Sequence, residues 1–202
     1  MTIKLPNIIS ILRLVISPVC FLLITSSSRV LVIVGFWIFL ISAISDFLDG
    51  WFARRYHETT QLGKFLDPLA DKFLTTAAFL AFVQLNIIPL WMVLIIIIRD
   101  IGTTLIRVLS GINENKFKTS FSAKIKTALQ MVFIGWNLLL IFLKSIRTDA
   151  QFVSAVNSII YSKWTLIAIY IITLITIWTA VEYLISFFFI RFQSKNNGIK
   201  NK

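Results

Sequence analysis

Apolar residues in this chain fall in long runs. Residues 7–26, 30–45, 63–86, 90–107, 122–143 and 164–192 each read as a mostly apolar stretch, and short polar segments separate them. Crossing the hydrocarbon core of a bilayer takes about 20 residues of helix. Lipid offers no hydrogen-bond partner to open backbone, so such runs end in a helix bundle or a closed barrel. A barrel needs short segments of alternating hydrophobicity, and the sequence has none. The runs therefore predict an all-α integral membrane protein with six transmembrane helices. Composition agrees: 57% of residues are hydrophobic and 14% charged, where a soluble domain carries about a quarter charged.

The connections are short. Ser26–Arg29 reads as a tight loop, Asn86–Pro89 as a turn, and 113–120 as a polar loop. Residues 144–163 read as a mixed loop with room for a short helix. The expected organisation is one catalytic domain over 1–192 and a basic tail of low order over 193–202. The first run follows Lys4, contains Arg13 and lacks a small-residue cleavage site, so it is expected to be a retained helix. An even number of spans puts both termini on one side. Lys4, Arg54, Arg55, Lys64, Lys116, Lys118, Lys124, Lys126 and the tail bases share that side, while Arg29, Lys144, Arg147 and Lys163 lie opposite. The larger group is expected in the cytoplasm, with the protein in the cell membrane.

The net charge of +11 sits in loops between apolar runs, so nucleic acid is not an expected partner. Anionic lipid headgroups and a phosphorylated substrate suit it better. Cys20 is the only cysteine and His57 the only histidine, which leaves neither a disulfide nor a Cys/His metal site.

Against this background one stretch stands out. Asp46, Asp49, Asp67 and Asp71 are four of only nine acidic residues, spaced three apart and then four apart. On helices each pair shares a face. Carboxylates at a bilayer are costly unless something neutralises them. Two facing pairs make an all-oxygen cage for hard divalent cations such as Mg²⁺ or Mn²⁺. Two such ions about 4 Å apart would leave open positions for phosphate oxygens. Gly50, Ala53 and Gly63 offer a surface without bulky side chains, and Arg54 a fork for phosphate. The plainer readings are helix packing for the small residues and a structural ion site or cation pathway for the acids. Asn7, Ser10 and Arg13 share a face of the first helix. They read either as a capped start with a snorkelling arginine or as a polar strip facing the site.

The string D-x2-D-G-x2-A-R-x8-G-x3-D-x3-D, complete from Asp46 to Asp71, resembles the signature of the CDP-alcohol phosphatidyltransferase family. The six expected helices are similar to that family's fold, so the likeness covers most of the chain. The resemblance implies transfer of a phosphatidyl group from a CDP-linked lipid to a hydroxyl, with release of CMP and with Mg²⁺ or Mn²⁺. It implies that Asp46, Asp49, Asp67 and Asp71 hold two metals and that Asp71 is also the general base. It implies further that Gly50, Ala53, Arg54 and Gly63 receive the CDP portion, and that the protein is a homodimer.

The acceptor is read from bases further on. Arg99, Arg107, Lys124 and Lys126 gather at the same ends of the fourth and fifth helices, and Arg99 and Arg107 share roughly one face. A dense cationic set suits a phosphorylated acceptor. The segment from Arg99 to Gln130 and the opening Leu5–Arg13 resemble the phosphatidylglycerophosphate synthase branch, which implies CDP-diacylglycerol as donor and glycerol 3-phosphate as acceptor. Asp100, Ala123 and Ser10 depart from that branch's usual Glu, Gly and Thr. Competing readings are a cardiolipin, phosphatidylserine or phosphatidylinositol phosphate synthase of the same family. Outside enzymes they are a membrane scaffold or a divalent-cation transporter, although a transporter places its acids near the bilayer midplane. Glu182, inside the last apolar run, has no partner evident from sequence.

Overall fold

A computed structural model describes the backbone of residues 5–56, 61–109 and 121–200, and the side chains of 11–45, 70, 72–106 and 122–187. The described residues form seven helices and no strands: α1 (Leu5–Ile24), α2 (Arg29–Tyr56), α3 (Gln61–Gln84), α4 (Leu90–Leu109), α5 (Phe121–Ile146), α6 (Ala150–Ile160) and α7 (Lys163–Lys200).

Three boundaries differ from the sequence reading. α2 runs past Ser45 to Tyr56, because an aspartate ends an apolar run without ending a helix. The 144–163 segment contains a defined helix, α6, started by Asp149, whose side chain accepts from the Gln151 N–H at 3.2 Å. α7 stays helical through 193–200, where a tail of low order was expected. An established helix propagates at one hydrogen bond per added residue, so polar residues extend it readily.

α3 is the central element. It packs on α1, α4 and α5, while α7 closes the other side against α4, α5 and α6. Ala70, Leu74, Ala77, Ala78, Phe79, Ala81 and Phe82 of α3 are all buried. The alanines let α1 lie along α3, and the two phenylalanines meet Phe133 of α5, with ring centroids 6.2–6.3 Å apart. α3 ends in a Schellman motif. Asn86 takes the left-handed conformation (φ 57°), Ile87 N–H donates to the Phe82 carbonyl, and Asn86 N–H donates to that of Val83. Asn tolerates that conformation, and Pro89 follows where the helix has ended. α1 and α2 meet at Gly35: a Cβ there would lie 2.8 Å from Leu23 Cβ.

The outer surface is far more apolar than a soluble bundle's, and polar side chains are set within the apolar core. Ile98, Val132, Trp164 and Trp178 are each about 70% exposed or more, among many outward apolar side chains. Ser17, Gln130, Asn137, Thr173, Thr176 and Thr179 are buried. The threonines of α7 return their hydroxyls to their own helix, as in Thr176 Oγ1 to the Ile172 carbonyl at 2.7 Å. Ser122–Ile146 and Ala150–Phe187 are long and apolar enough to cross a membrane, and Ile11–Ile24, Arg29–Ser45 and Lys72–Gln84 are shorter apolar stretches.

Candidate active site

The last turns of α1 and α5, the first turn of α2 and the α3–α4 turn line one shared cavity, so the far ends of these helices form a second group. That second group holds the last turns of α2 and α4 and the first turns of α3 and α5. The acidic string belongs here: positions 46, 49, 50, 53 and 54 lie in the last turns of α2, and 63, 67 and 71 in the first turns of α3. The side chains of these eight residues, with those of Asn7, Ser10 and Arg107, lie outside the described set. Among the described residues no three His, Cys, Asp or Glu gather as metal ligands.

What is described at this end is a buried ionic cluster. Asp100 of α4 is 6% exposed, and its Oδ1 accepts from Arg99 Nη1 at 3.2 Å and from Lys126 Nζ of α5. Lys126 is 1% exposed. α4 and α5 each pack on α3 and on α7, and the Lys126–Asp100 pair joins them directly. A lysine this buried is tolerated only when paired. Among the described residues two cations share this one carboxylate, which leaves an excess of positive charge. Two buried donors, Arg99 Nε and Gln130 Nε2, have no hydrogen-bond partner among the described residues. Gln130 follows Lys126 by one helical turn and shares its face. Buried donors without partners are uncommon, and here they accompany two cations on one described carboxylate. An anion with several acceptor oxygens meets both demands.

Lys72 connects this cluster to the acidic string. It directly follows Asp71 in α3 and lies within electrostatic reach of Lys126. The acid-bearing start of α3 and the cationic start of α5 thus converge.

Of the predicted acceptor residues, Arg99 and Lys126 come together at Asp100. Lys124 does not join them: it is exposed, since two residues along a helix turn a side chain far from its neighbour's face. Arg13 is buried at 4% exposure, while the side chains that share its face, Asn7 and Ser10, lie outside the described set. Glu182 gains the partner that sequence could not supply, accepting from Ser122 Oγ of α5 at 2.6 Å. Two participants were not singled out from sequence. Asp100 was visible as the lone acid beside Arg99 in an isoleucine run, and Lys72 as the base following Asp71.

Residues 3–190 match the family model for CDP-alcohol phosphatidyltransferase. A CDP-diacylglycerol–glycerol-3-phosphate 3-phosphatidyltransferase of Bacillus subtilis is 35% identical over 145 residues, covering 65% of this chain and 75% of that one. A probable phosphatidylglycerophosphate synthase of Mycobacterium tuberculosis is 37% identical over 138 residues, covering 65% of this chain and 64% of that one, just under two thirds of its length. A CDP-diacylglycerol–glycerol-3-phosphate 3-phosphatidyltransferase of Haemophilus influenzae is 30% identical over 192 residues, covering 91% and 93%.

Proposed function

The chain belongs to the CDP-alcohol phosphatidyltransferase family, and from that premise we propose that it makes phosphatidylglycerol phosphate from CDP-diacylglycerol and sn-glycerol 3-phosphate. The primary hydroxyl of glycerol 3-phosphate attacks the lipid-linked phosphorus of the donor. An O–P bond forms, the bond from that phosphorus to the CMP oxygen breaks, CMP leaves, and the hydroxyl proton passes to Asp71. A carboxylate is a weak base near neutral pH, so holding the hydroxyl in line supplies much of the rate.

The observation that carries the acceptor assignment is the buried Arg99–Asp100–Lys126 cluster beside the start of α3. Its two cations on one carboxylate and its donors without partners among the described residues, Arg99 Nε and Gln130 Nε2, suit a phosphate dianion better than a neutral polyol. The printed names of the Bacillus, Mycobacterium and Haemophilus relatives support the same substrates. Gly50, Ala53, Arg54 and Gly63 receive the CDP portion, Arg107 and Lys124 add to the charge at the acceptor-phosphate end, and Asn7, Ser10 and Arg13 form a polar strip facing the site.

The family works with divalent metal ions. Four aspartates at 46, 49, 67 and 71 form a hard-oxygen donor set that fits Mg²⁺ or Mn²⁺. Bound there, the ions would neutralise the carboxylates and draw charge from the diphosphate.

The outward apolar side chains and inward polar ones support a multi-pass protein of the cell membrane. The six sequence runs fall on α1 to α5 and α7, and α6 is too short to span. The basic excess at the acidic end supports a cytoplasmic position for that end and for both termini. There a soluble phosphate and a bilayer-bound donor can meet. The protein works as a homodimer among anionic lipids, with 1–192 as its catalytic domain.

Arg99→Gln tests the acceptor assignment. Losing a charged hydrogen bond to phosphate costs about 1.5–3 kcal/mol, so the KM for glycerol 3-phosphate should rise about tenfold or more while that for CDP-diacylglycerol holds. An unchanged KM for glycerol 3-phosphate refutes it.

A further inference from the structure

The helix ends opposite the acidic string enclose a cavity of about 250 Å³. It lies where the α1–α2 loop, the α3–α4 turn, the end of α5 and the α6–α7 junction meet, and the Tyr161 hydroxyl ties that junction to the Leu85 carbonyl at 3.0 Å. Its apolar lining includes Ile24, Ile87 and Ile141. Its polar lining includes two cations, Arg29 and Lys144, and no carboxylate. Neither cation pairs with a carboxylate among the described residues. Asp149, the acid at this end, does not line the cavity and uses its side chain to cap α6.

Two features place this cavity at a membrane surface. Lys126 and Lys144 lie on one helix, so at about 1.5 Å of rise per residue they are roughly 27 Å apart. A bilayer's hydrocarbon core is about 30 Å thick. Trp91 and Trp164, near the first turns of α4 and α7, are exposed at this same end with Tyr161, as aromatic side chains are at the headgroup level. Lys144 stands one turn beyond Ile141 toward the end of α5, so charge lies outside apolar carbon there, as phosphate lies outside the chains of a phospholipid.

We propose that this cavity binds the phosphate headgroup of an anionic phospholipid in the leaflet opposite the active site, with Arg29 and Lys144 as its charge partners. The site rests on the membrane reading given above and is independent of the assigned reaction.

Its test is lipid retention by the purified full chain in detergent, read by native mass spectrometry with the donor site saturated by CDP-diacylglycerol. Phosphatidylglycerol, phosphatidylcholine and inorganic phosphate are the three probes. The native chain should retain phosphatidylglycerol in preference to phosphatidylcholine. Arg29→Gln/Lys144→Gln should weaken that retention at least tenfold and leave CMP release in detergent unchanged. Lys163→Gln, which removes a charge at the same end outside the cavity, should leave retention intact. Equal retention by the native and double-variant chains overturns the site. So does an equal loss in Lys163→Gln, which would mean diffuse surface charge. Thermal stabilisation by inorganic phosphate equal to that by phosphatidylglycerol overturns the lipid source. Solubility of the chain without detergent would instead overturn the membrane reading.

Discussion

Asp100→Asn is the sharpest probe of the ionic cluster. Asparagine keeps the shape and one acceptor oxygen but removes the carboxylate that Arg99 and Lys126 share. Lys126 is 1% exposed, so water cannot replace the lost charge. Removing one partner of a buried pair costs about 3–5 kcal/mol, because the remaining charge stays desolvated. For a chain of this size each kcal/mol moves the melting temperature by about 2–4 °C, so the expected fall is roughly 6–20 °C. Tryptophan fluorescence during thermal unfolding in detergent measures it. A second variant separates charge from shape. Asp100→Asn/Lys126→Gln removes the stranded ammonium as well and should melt above the single variant, while its use of glycerol 3-phosphate stays impaired. A single variant within about 0.5 kcal/mol of the native chain, the range of ordinary surface changes, refutes the argument. So does a double variant less stable than the single one.

Other perturbations separate packing from chemistry. Gly35→Ala places a Cβ 2.8 Å from Leu23 Cβ and 3.2 Å from the Ile24 backbone nitrogen, and should destabilise by about 1–3 kcal/mol through overpacking. Gly135→Ala, with nothing within 4 Å, should stabilise by up to about 1 kcal/mol through helix propensity; thermal unfolding compares the two. Asp71→Asn should abolish CMP release without lowering the melting temperature and should leave part of the metal binding, measured by calorimetry. Chelation of divalent ions from the native chain should stop CMP release, and added Mg²⁺ or Mn²⁺ should restore it.

The bundle was legible because apolar runs and short polar turns are local signals. Asn86–Pro89 was readable as a stop, and the left-handed Asn86 is its physical form. Hydropathy reports depth in the membrane, which is why Ser45 looked like an end although α2 continues to Tyr56. α6 was only half visible. Val156 and Ile160 share its buried face, but eleven residues give too little period to distinguish a helix from a mixed loop. The acidic string could be read for chemistry because its spacing is fixed along the chain. The acceptor cluster was read less finely. Grouping bases by helix end put Lys124 beside Lys126, and only the facing of α5 separates them. The Ser122–Glu182 bond joins residues sixty apart, and the close approach at Gly35 depends on where α1 lies. Neither pairing leaves a trace in the sequence around it.

The most direct measurement follows the acceptor into lipid. Purified chain, CDP-diacylglycerol, a divalent metal and isotopically labelled glycerol 3-phosphate would be incubated, with serine, inositol phosphate and phosphatidylglycerol as competing acceptors in parallel. The account predicts label in the lipid phase as phosphatidylglycerol phosphate, in equal amount to the CMP released, and little transfer to the other acceptors. CMP release without labelled lipid, or preferential transfer to another acceptor, would contradict it.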